Sequence, residues 1–99
     1  MGERGLIRTE NENGLCVYLH WNGWKEDVEA LLKSCEEKGY VSPSEDSRYG
    51  WSCLVHEACN MFGAGRGCVG VEVFNPNCDY WLDHGVYVIR GWKIIEHQK

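Results

Sequence analysis

Three side chains of the kinds that bind zinc recur at every third position near the middle of the chain: Cys53, His56 and Cys59. In a helix, at about 100° per residue, they lie off the apolar face, and neighbouring members of the trio can reach one tetrahedral Zn²⁺. Cys53 and His56, or His56 and Cys59, would supply two ligands, and the set would be completed from the loops that follow, by Cys68, Cys78 or His84. Zinc is therefore the candidate cofactor, and ordinary packed thiols beside a surface histidine are the alternative.

A catalytic role for the same residues has less chemical support. Cys59 follows His56 by one helical turn, which is the contact that a cysteine nucleophile needs, but no motif for an oxyanion hole accompanies the pair. The glycine-rich residues 63–67 come after a predicted helix and before a predicted strand, the reverse of the order in a phosphate-binding loop. We therefore predict that the protein is not an enzyme.

Composition and charge limit the class of partner. The chain has 99 residues, of which 43% are hydrophobic, as expected for one small globular domain. Its net charge of -5 argues against general binding of nucleic acid or of an anionic membrane and favours a basic protein partner. The sequence contains neither the long apolar run of a membrane span nor the apolar core of a secretory signal, so a cytoplasmic location with reduced cysteines is expected.

The spacing of apolar residues predicts the elements that position these groups. Residues 15–21 alternate between two kinds of side chain, as a strand does, and residues 24–38 carry the apolar stripe of an amphipathic helix. The Asn-Gly pair between them is a turn signal. Taken to their ends, the two patterns place Trp21 on the apolar side of the strand and Trp24 on the apolar stripe of the helix.

A second helix follows a polar connector and would be capped by Ser44 or Ser47. Its apolar stripe assigns six residues to the core, Trp51, Leu54, Val55, Ala58, Met61 and Phe62. After it, alternation and β-branched residues predict strands over residues 69–73, 86–90 and 92–96. The valines of the first of these strands would face the helices: Val69, Val71 and Val73.

The order of these elements predicts the fold class. The order β-α-α-β-β-β is typical of an α+β domain, here residues 14–99, with two helices packed on one face of a small, mostly antiparallel sheet. Residues 1–13 are polar and contain glycine, and we expect them to be a flexible N-terminal segment. The sheet face away from the helices is apolar for a solvated surface, which leaves two alternatives: a partner or homodimer surface, or a cover formed by residues 80–82.

Short motifs occur along most of the chain. They are VYLHWNG at residues 17–23, YGW at 49–51 with NMFG at 60–63, and GVYVI at 85–89 with WKI at 92–94. Together they resemble a family of small, mostly uncharacterised proteins encoded by bacteriophages, prophages and other mobile elements of Gram-positive and gut bacteria. Cys53, His56 and Cys59 lie outside the fixed motifs of that family, so the resemblance gives zinc no support.

The resemblance implies a counter-defence or host-takeover role, most concretely that of an anti-CRISPR protein that binds and blocks a Cas effector, a host defence protein, in the bacterial cytoplasm. Such a blocker would present acidic and aromatic side chains to a basic channel without contacting nucleic acid itself. The residues expected in this partner-binding surface are Glu26, Glu29, Glu36, Glu37, Glu45, Asp46, Tyr80 and Trp81.

Two other roles stay open. A sponge that sequesters a nucleotide immune signal would stack a base on aromatic side chains and hold phosphate with arginines. The side chains available for this are Trp21, Trp24, Tyr80, Trp81, Arg48, Arg66 and Arg90. The third role is a small zinc-stabilised interaction domain. A concave aromatic pocket with convergent arginines would favour the sponge, and a flat acidic and aromatic surface would favour the blocker.

Overall fold

Two helices, α1 (Lys25–Glu37) and α2 (Ser47–Phe62), pack on one face of a five-stranded sheet in the computed structural model, which describes residues 2–65 and 67–99. The strands are β1 (Gly5–Thr9), β2 (Leu15–Leu19), β3 (Val69–Val73), β4 (Val86–Arg90) and β5 (Lys93–Gln98). They lie in the order β3-β2-β1-β4-β5, in which β1 and β4 run parallel and the other neighbours run antiparallel. The predicted α+β class, with both helices packed against a mostly antiparallel sheet, is confirmed.

The central strand β1 comes from a segment predicted to be flexible, so the prediction for residues 1–13 is wrong over Gly5–Thr9. Leu6 and Ile7 are fully buried on opposite faces of the sheet, and Arg8 is buried beside them. Because both faces of a central strand are covered, its sequence lacks the alternation that marks a half-buried strand. The element order is therefore β-β-α-α-β-β-β, one strand more than predicted.

Both helices lie close to their predicted limits. The first, predicted over residues 24–38, spans Lys25–Glu37. The second is capped by Asp46 instead of either predicted serine, because the aspartate side chain accepts hydrogen bonds from the backbone N–H groups of Arg48 and Tyr49. These bonds satisfy two of the N–H groups that the start of a helix leaves unpaired. Neither helix in the described part of the chain is long and apolar enough to cross a membrane.

The main core lies between the helices and the sheet. Its buried members are Ile7, Val17, Leu19, Val28, Leu31, Leu32, Cys35, Trp51, Leu54, Ala58, Tyr87, Ile89 and Trp92. The core residues predicted from the apolar stripe of α2 are correct at Trp51, Leu54 and Ala58. Met61 is 41% exposed, so the assignment of this residue to the core is wrong. The stripe also failed to predict that Glu57 is buried on the same helix.

The edge strand β3 leaves most of its apolar surface in water. Val71 and Val73 are 50% and 64% exposed, whereas Val69 packs against the main core. All three valines face the helix side of the sheet, as predicted, but two of them are not covered by the helices. Val71 pairs with the buried Val17 and so points to the helix side of the sheet, but β3 is the outermost strand and its later residues lie beyond the helix cover.

A smaller core lies on the opposite face of the sheet, formed by Leu6, Cys16 and Phe74 with Tyr80 and Leu82 packed against it. The rings of Phe74 and Tyr80 stack with their centroids 5.6 Å apart. The guanidinium of Arg8 lies 4.7 Å from the centroid of the Phe74 ring, in a cation–π contact. Of the two alternatives for this face, a cover by residues 80–82 therefore accounts for the part around Phe74.

A buried carboxylate joins the two helices. Glu57 of α2 is only 2% exposed, and it accepts hydrogen bonds from Lys38 Nζ at 2.8 Å and from Ser34 Oγ. The hydrogen bond from Lys38, followed by the one from Ser34, holds the pKa of Glu57 below its ordinary value of 4.5. Because the carboxylate is paired, it stays charged and fixes the end of α1 against α2.

Candidate functional site

The three predicted zinc ligands all lie on α2. His56 is exposed, and its Nε2 lies 3.1 Å from the side-chain nitrogen of Asn60, one turn later. Cys53 and Cys59 are partly buried and form no disulfide. Across residues 2–65 and 67–99, no group of three histidine, cysteine, aspartate or glutamate side chains is placed to hold a metal ion. Zinc at Cys53, His56 and Cys59 stays a prediction.

Four of the predicted partner-binding acids lie along α1 and are exposed: Glu26, Glu29, Glu36 and Glu37. The helix has five acidic residues and two lysines, so its outer surface is acidic. Glu36 is partly neutralised, because its Oε1 accepts a hydrogen bond from Lys93 Nζ at 3.1 Å. The carboxylates of Glu26, Glu29 and Glu37 point into solvent without an ion pair to any residue that the structure describes.

The other two predicted acids have local structural roles at the start of α2. Glu45 Oε1 accepts a hydrogen bond from Ser42 Oγ at 2.8 Å, and Asp46 is the helix cap. Both bonds stabilise the connector between the helices. Because each carboxylate already has partners in the protein, binding to another molecule would have to compete with these bonds.

The two predicted aromatic contacts lie on the opposite face of the sheet from α1. Tyr80 stacks on Phe74, and its hydroxyl accepts a hydrogen bond from the backbone N–H of Asn75 at 2.7 Å. Trp81 is 74% exposed, with a backbone φ of 52° that residues other than glycine rarely adopt. The predicted partner-binding residues are therefore divided among α1, the start of α2 and the far face of the sheet.

Two exposed tryptophans, which the sequence patterns place on apolar faces, lie just before α1. Trp21 and Trp24 are 48% and 46% exposed. The strand β2 ends at Leu19, and Trp24 is the boundary residue of α1, so neither the strand alternation nor the helical stripe extends to these side chains. We call Trp21, Trp24 and the neighbouring exposed acids Glu26 and Glu29 the tryptophan–acid surface.

The acids at the start of α1 act together on one buried hydroxyl. Burial, followed by the charges of Glu26, Glu29 and Asp27, raises the pKa of Tyr87 to about 12. That hydroxyl donates a hydrogen bond to the carbonyl of Gly23 at 2.6 Å, in the loop that carries the tryptophans. The carboxylates therefore lie at the same end of the sheet as the tryptophans.

Backbone hydrogen bonds fix the loop that carries both tryptophans. The N–H of Gly23 donates to the carbonyl of Glu3 at 2.8 Å, and the N–H of Glu3 donates to the carbonyl of His20, also at 2.8 Å. Glycine is required at position 23, because an added Cβ would lie 2.4 Å from the backbone nitrogen of Gly5. The loop is thus held against the start of β1.

Two histidines support the tryptophan rings. Trp21 packs edge-on against His20, with 4.5 Å between ring centroids. Trp24 contacts His84 at 4.1 Å between centroids. Nε2 of His84 in turn lies 2.7 Å from Oε1 of Glu3, so the ring that supports Trp24 is itself anchored. The tryptophans are therefore exposed in fixed orientations, which lowers the entropy that would be lost on binding.

The side chains of the sponge alternative belong to different parts of the fold. The tryptophans of the tryptophan–acid surface lie at the start of α1, whereas Tyr80 and Trp81 lie over the far face of the sheet. Arg48 is exposed in the first turn of α2. Arg66 lies outside the described residues. The structure therefore brings none of the described arginines of this set onto the tryptophans.

A cavity of about 580 Å³ lies between the β1–β2 loop and the start of α2. Its lining includes Trp51, Glu10 and Glu45, and none of the described residues around it is an arginine or a lysine. Arg90 is ion-paired with Glu10 at 2.9 Å. Because Arg90 is already paired with Glu10 and the other charged group in the described wall is the carboxylate of Glu45, the cavity offers no free positive charge for a phosphate group and does not suit a nucleotide.

The fold and this site define a class: a small α+β domain that exposes two packed tryptophans, together with solvent-facing carboxylates, at one end of its sheet. Comparison of the chain with protein-family models, with curated proteins and with solved structures gives no match. What the protein does must therefore be inferred from its own surfaces.

Proposed function

We propose that the protein is a non-enzymatic binding domain whose tryptophan–acid surface docks on a basic patch of a partner protein. The observation that supports this most strongly is the exposure of Trp21 and Trp24, packed on histidine rings, at the end of the sheet where the exposed carboxylates of Glu26 and Glu29 also lie. Large aromatic side chains that a fold keeps in water, instead of burying, are typical anchors of protein interfaces.

The two kinds of side chain in this surface would have different tasks. Each tryptophan would fill a pocket of the partner, where truncation of such an anchor costs at least about 2 kcal/mol. The acids would attract a positively charged partner and orient it, while adding less to affinity if they stay at the hydrated rim. Because Gly23 and Glu3 already hold the loop through backbone bonds, little ordering would be needed on binding.

Within this class we propose a counter-defence role, that of an anti-CRISPR protein that occupies the basic nucleic-acid channel of a Cas effector. The support is the resemblance of the motifs to proteins of phages and other mobile elements, together with the net charge of -5. A channel that binds a phosphate backbone supplies the complementary charge. Inhibition by occupancy needs no catalytic group, no direct contact with nucleic acid and no membrane, and it would take place in the cytoplasm of the bacterial host.

Direct binding to purified Cas effectors of the host tests this proposal. In biolayer interferometry we expect saturable binding by the wild-type protein that weakens as the salt concentration rises. The Trp21→Ala/Trp24→Ala double variant should lose at least about 30-fold in affinity, since even one lost anchor has an effect of this size. The matched control is Trp81→Ala, which removes a more exposed tryptophan from the opposite face and should bind as the wild type does.

Circular dichroism and the melting temperature must match between wild type and double variant, so that a lost anchor is not confused with a lost fold. Equal binding by the wild type and the double variant would contradict the assignment of the surface. Failure to bind any Cas effector of the host would contradict the anti-CRISPR role.

A further inference from the structure

The outer side of the edge strand β3 has no strand partner in the described part of the chain. Two hydrogen bonds fix which residues face its inner neighbour β2. The N–H of Phe74 donates to the carbonyl of Gly14 at 2.8 Å, and the N–H of His20 donates to the carbonyl of Cys68 at 3.0 Å. Phe74 and Cys68 therefore occupy hydrogen-bonded positions at the two ends of the β2–β3 ladder.

Between these ends, every second residue faces β2 as well, because bonded and non-bonded pairs alternate along an antiparallel ladder. Gly70 and Glu72 fill these inner positions. The N–H and C=O groups of Val69, Val71 and Val73 must therefore point outward. The edge offers these backbone groups to another strand, together with the half-exposed side chains of Val71 and Val73.

This edge has few of the features that usually protect a sheet from further pairing. Residues 69–73 contain one charge, at Glu72, and neither lysine nor proline. The opposite edge strand β5 begins with Lys93, and its ladder is interrupted by a register shift at Val88 and Ile89. One edge of the sheet is thus protected, and the other is open.

We propose that β3 pairs with β3 of a second copy of this chain, antiparallel about a twofold axis at Val71, to form one sheet that continues across both subunits. In this register Val71 lies opposite the partner subunit's Val71, and Val69 lies opposite the partner subunit's Val73. All three are hydrogen-bonded pairs, so every outward N–H and C=O group of β3 finds a partner.

The side chains favour the same register. On the helix side of the sheet only valines meet across the axis, which buries the exposed surface of Val71 and Val73. On the other side Glu72 lies opposite the partner subunit's Gly70, so no two carboxylates are paired. A second copy supplies both matches by symmetry, and this self-complementarity is the reason for choosing it over an unrelated strand.

The size of the contact sets the expected strength of the dimer. Five residues at about 3.4 Å each give a ribbon only about 17 Å long, which buries less than the roughly 800 Å² per partner of a standard interface. We therefore expect a dimer that dissociates on dilution. The tryptophan–acid surface is not part of β3, so the proposed dimer and the proposed binding of a basic partner are independent, and an experiment can contradict one of them without the other.

Sedimentation equilibrium of the full chain over a range of concentrations tests the dimer. The wild-type mass should rise from the monomer value of 11.4 kDa toward twice that value. Val71→Lys and Val71→Glu should each weaken self-association more than about tenfold, because like charges would meet at the axis. An equimolar mixture of these two variants should restore the dimer, and the control Ile95→Lys, at an exposed isoleucine of β5, should dimerise as the wild type does.

A wild-type mass that stays at 11.4 kDa at every concentration overturns the proposal, as does a dimer that Val71→Lys leaves unchanged. Hydrogen exchange on the wild-type protein is a second test that needs no variant. The amides of Val69, Val71 and Val73 should exchange slowly in concentrated solution and faster after dilution. Equal exchange at both concentrations also overturns the proposal.

Discussion

The two faces of the sheet are buried by different means. One face lies under α1 and α2, whose continuous core is reinforced by the Lys38–Glu57 pair. The other has a core of three buried residues, Leu6, Cys16 and Phe74, under a loop that is attached by the stacking of Tyr80 on Phe74 and by the Arg4–Asp83 ion pair at 2.9 Å. The helix-covered face should therefore set the stability of the fold, whereas the loop-covered face should open at a lower cost.

The same difference separates the exposed tryptophans. Trp21 and Trp24 belong to a loop that backbone bonds attach to β1, at the start of α1. Trp81 belongs to the loop over the far face, where its own backbone has an unfavourable φ of 52°. A side chain that already packs against a neighbouring ring, as Trp21 and Trp24 do, loses less entropy on binding than one that does not, so exposure alone is a poor guide to a binding site.

Truncation in the helix-covered core should have the largest effect on stability. Leu31→Ala removes a fully buried side chain from α1 and should lower the free energy of unfolding by about 3 kcal/mol, through lost burial and the cavity that remains. Urea unfolding followed by circular dichroism measures this. A loss below about 1 kcal/mol would mean that this core is not the main source of stability.

Removing the charge of Glu57 should have the next largest effect, about 2 kcal/mol, because its bonds to Lys38 and Ser34 are charge-assisted. The folded-state pKa of Glu57 lies below its ordinary value of 4.5, so the folded protein binds the proton less readily than the unfolded chain. This contribution is complete at neutral pH and is lost as the pH falls through the lowered pKa.

Urea unfolding of Glu57→Gln and wild type, at neutral pH and well below pH 4.5, checks both statements. The difference between the two proteins should be present at neutral pH and vanish in acid. Glu37→Gln is the matched control. Glu37 is the exposed residue before Lys38, so this variant should unfold with the same free energy as the wild type at both pH values. If the difference in free energy of unfolding between wild type and Glu57→Gln grew as the pH fell, the predicted direction of the pH dependence would be contradicted.

Truncating a side chain on the loop-covered face should lower the stability of the fold by less than truncation in the helix-covered core. Tyr80→Ala removes the ring that stacks on Phe74 and should lower the free energy of unfolding by at least about 1 kcal/mol, the contribution of stacking alone, but by less than Leu31→Ala, because the ring is only partly buried. The same urea experiment applies, with Trp81→Ala as a control that should leave stability unchanged. If Tyr80→Ala were as damaging as Leu31→Ala, the two faces would not differ as described.

Cysteine labelling compares the two faces without any substitution. Burial raises the pKa of Cys16, under the loop, and of Cys35, under the helices, to about 12 in each case, so neither reacts until it is exposed. Cys78 is exposed and should react first. Mass spectrometry after alkylation should then find Cys16 labelled before Cys35, and the reverse order would mean that the helix cover opens first.

The elements that follow a single period could be predicted from the sequence. The limits of α1 follow from its apolar stripe, and the face of β2 follows from alternation. The strand β4 is buried on both faces at Tyr87, Val88 and Ile89, and its β-branched and aromatic residues are what identify it. The strand β1 could not be predicted, since Leu6 and Ile7 are buried on opposite faces and leave no alternation. The exposure of Val71 also has no local signal, because it depends on β3 being the outermost strand.

The candidate site could be predicted only in part. The acids of α1 were expected on the surface, and they lie there. The exposure of Trp21 and Trp24 could not be deduced, because both lie in a loop whose position is fixed by hydrogen bonds with Glu3, a residue distant in sequence. A turn signal at Asn22 was the one local hint that the apolar pattern stops there.

Cleavage of target DNA by a Cas effector of the host, in the presence of increasing amounts of this protein, tests the central claim most directly. We expect the wild-type protein and Trp81→Ala to inhibit cleavage equally. The Trp21→Ala/Trp24→Ala variant, with an unchanged melting temperature, should need at least about 30-fold more protein for the same inhibition. Cleavage that is unaffected by the wild-type protein, or inhibited equally by the double variant, would contradict the claim.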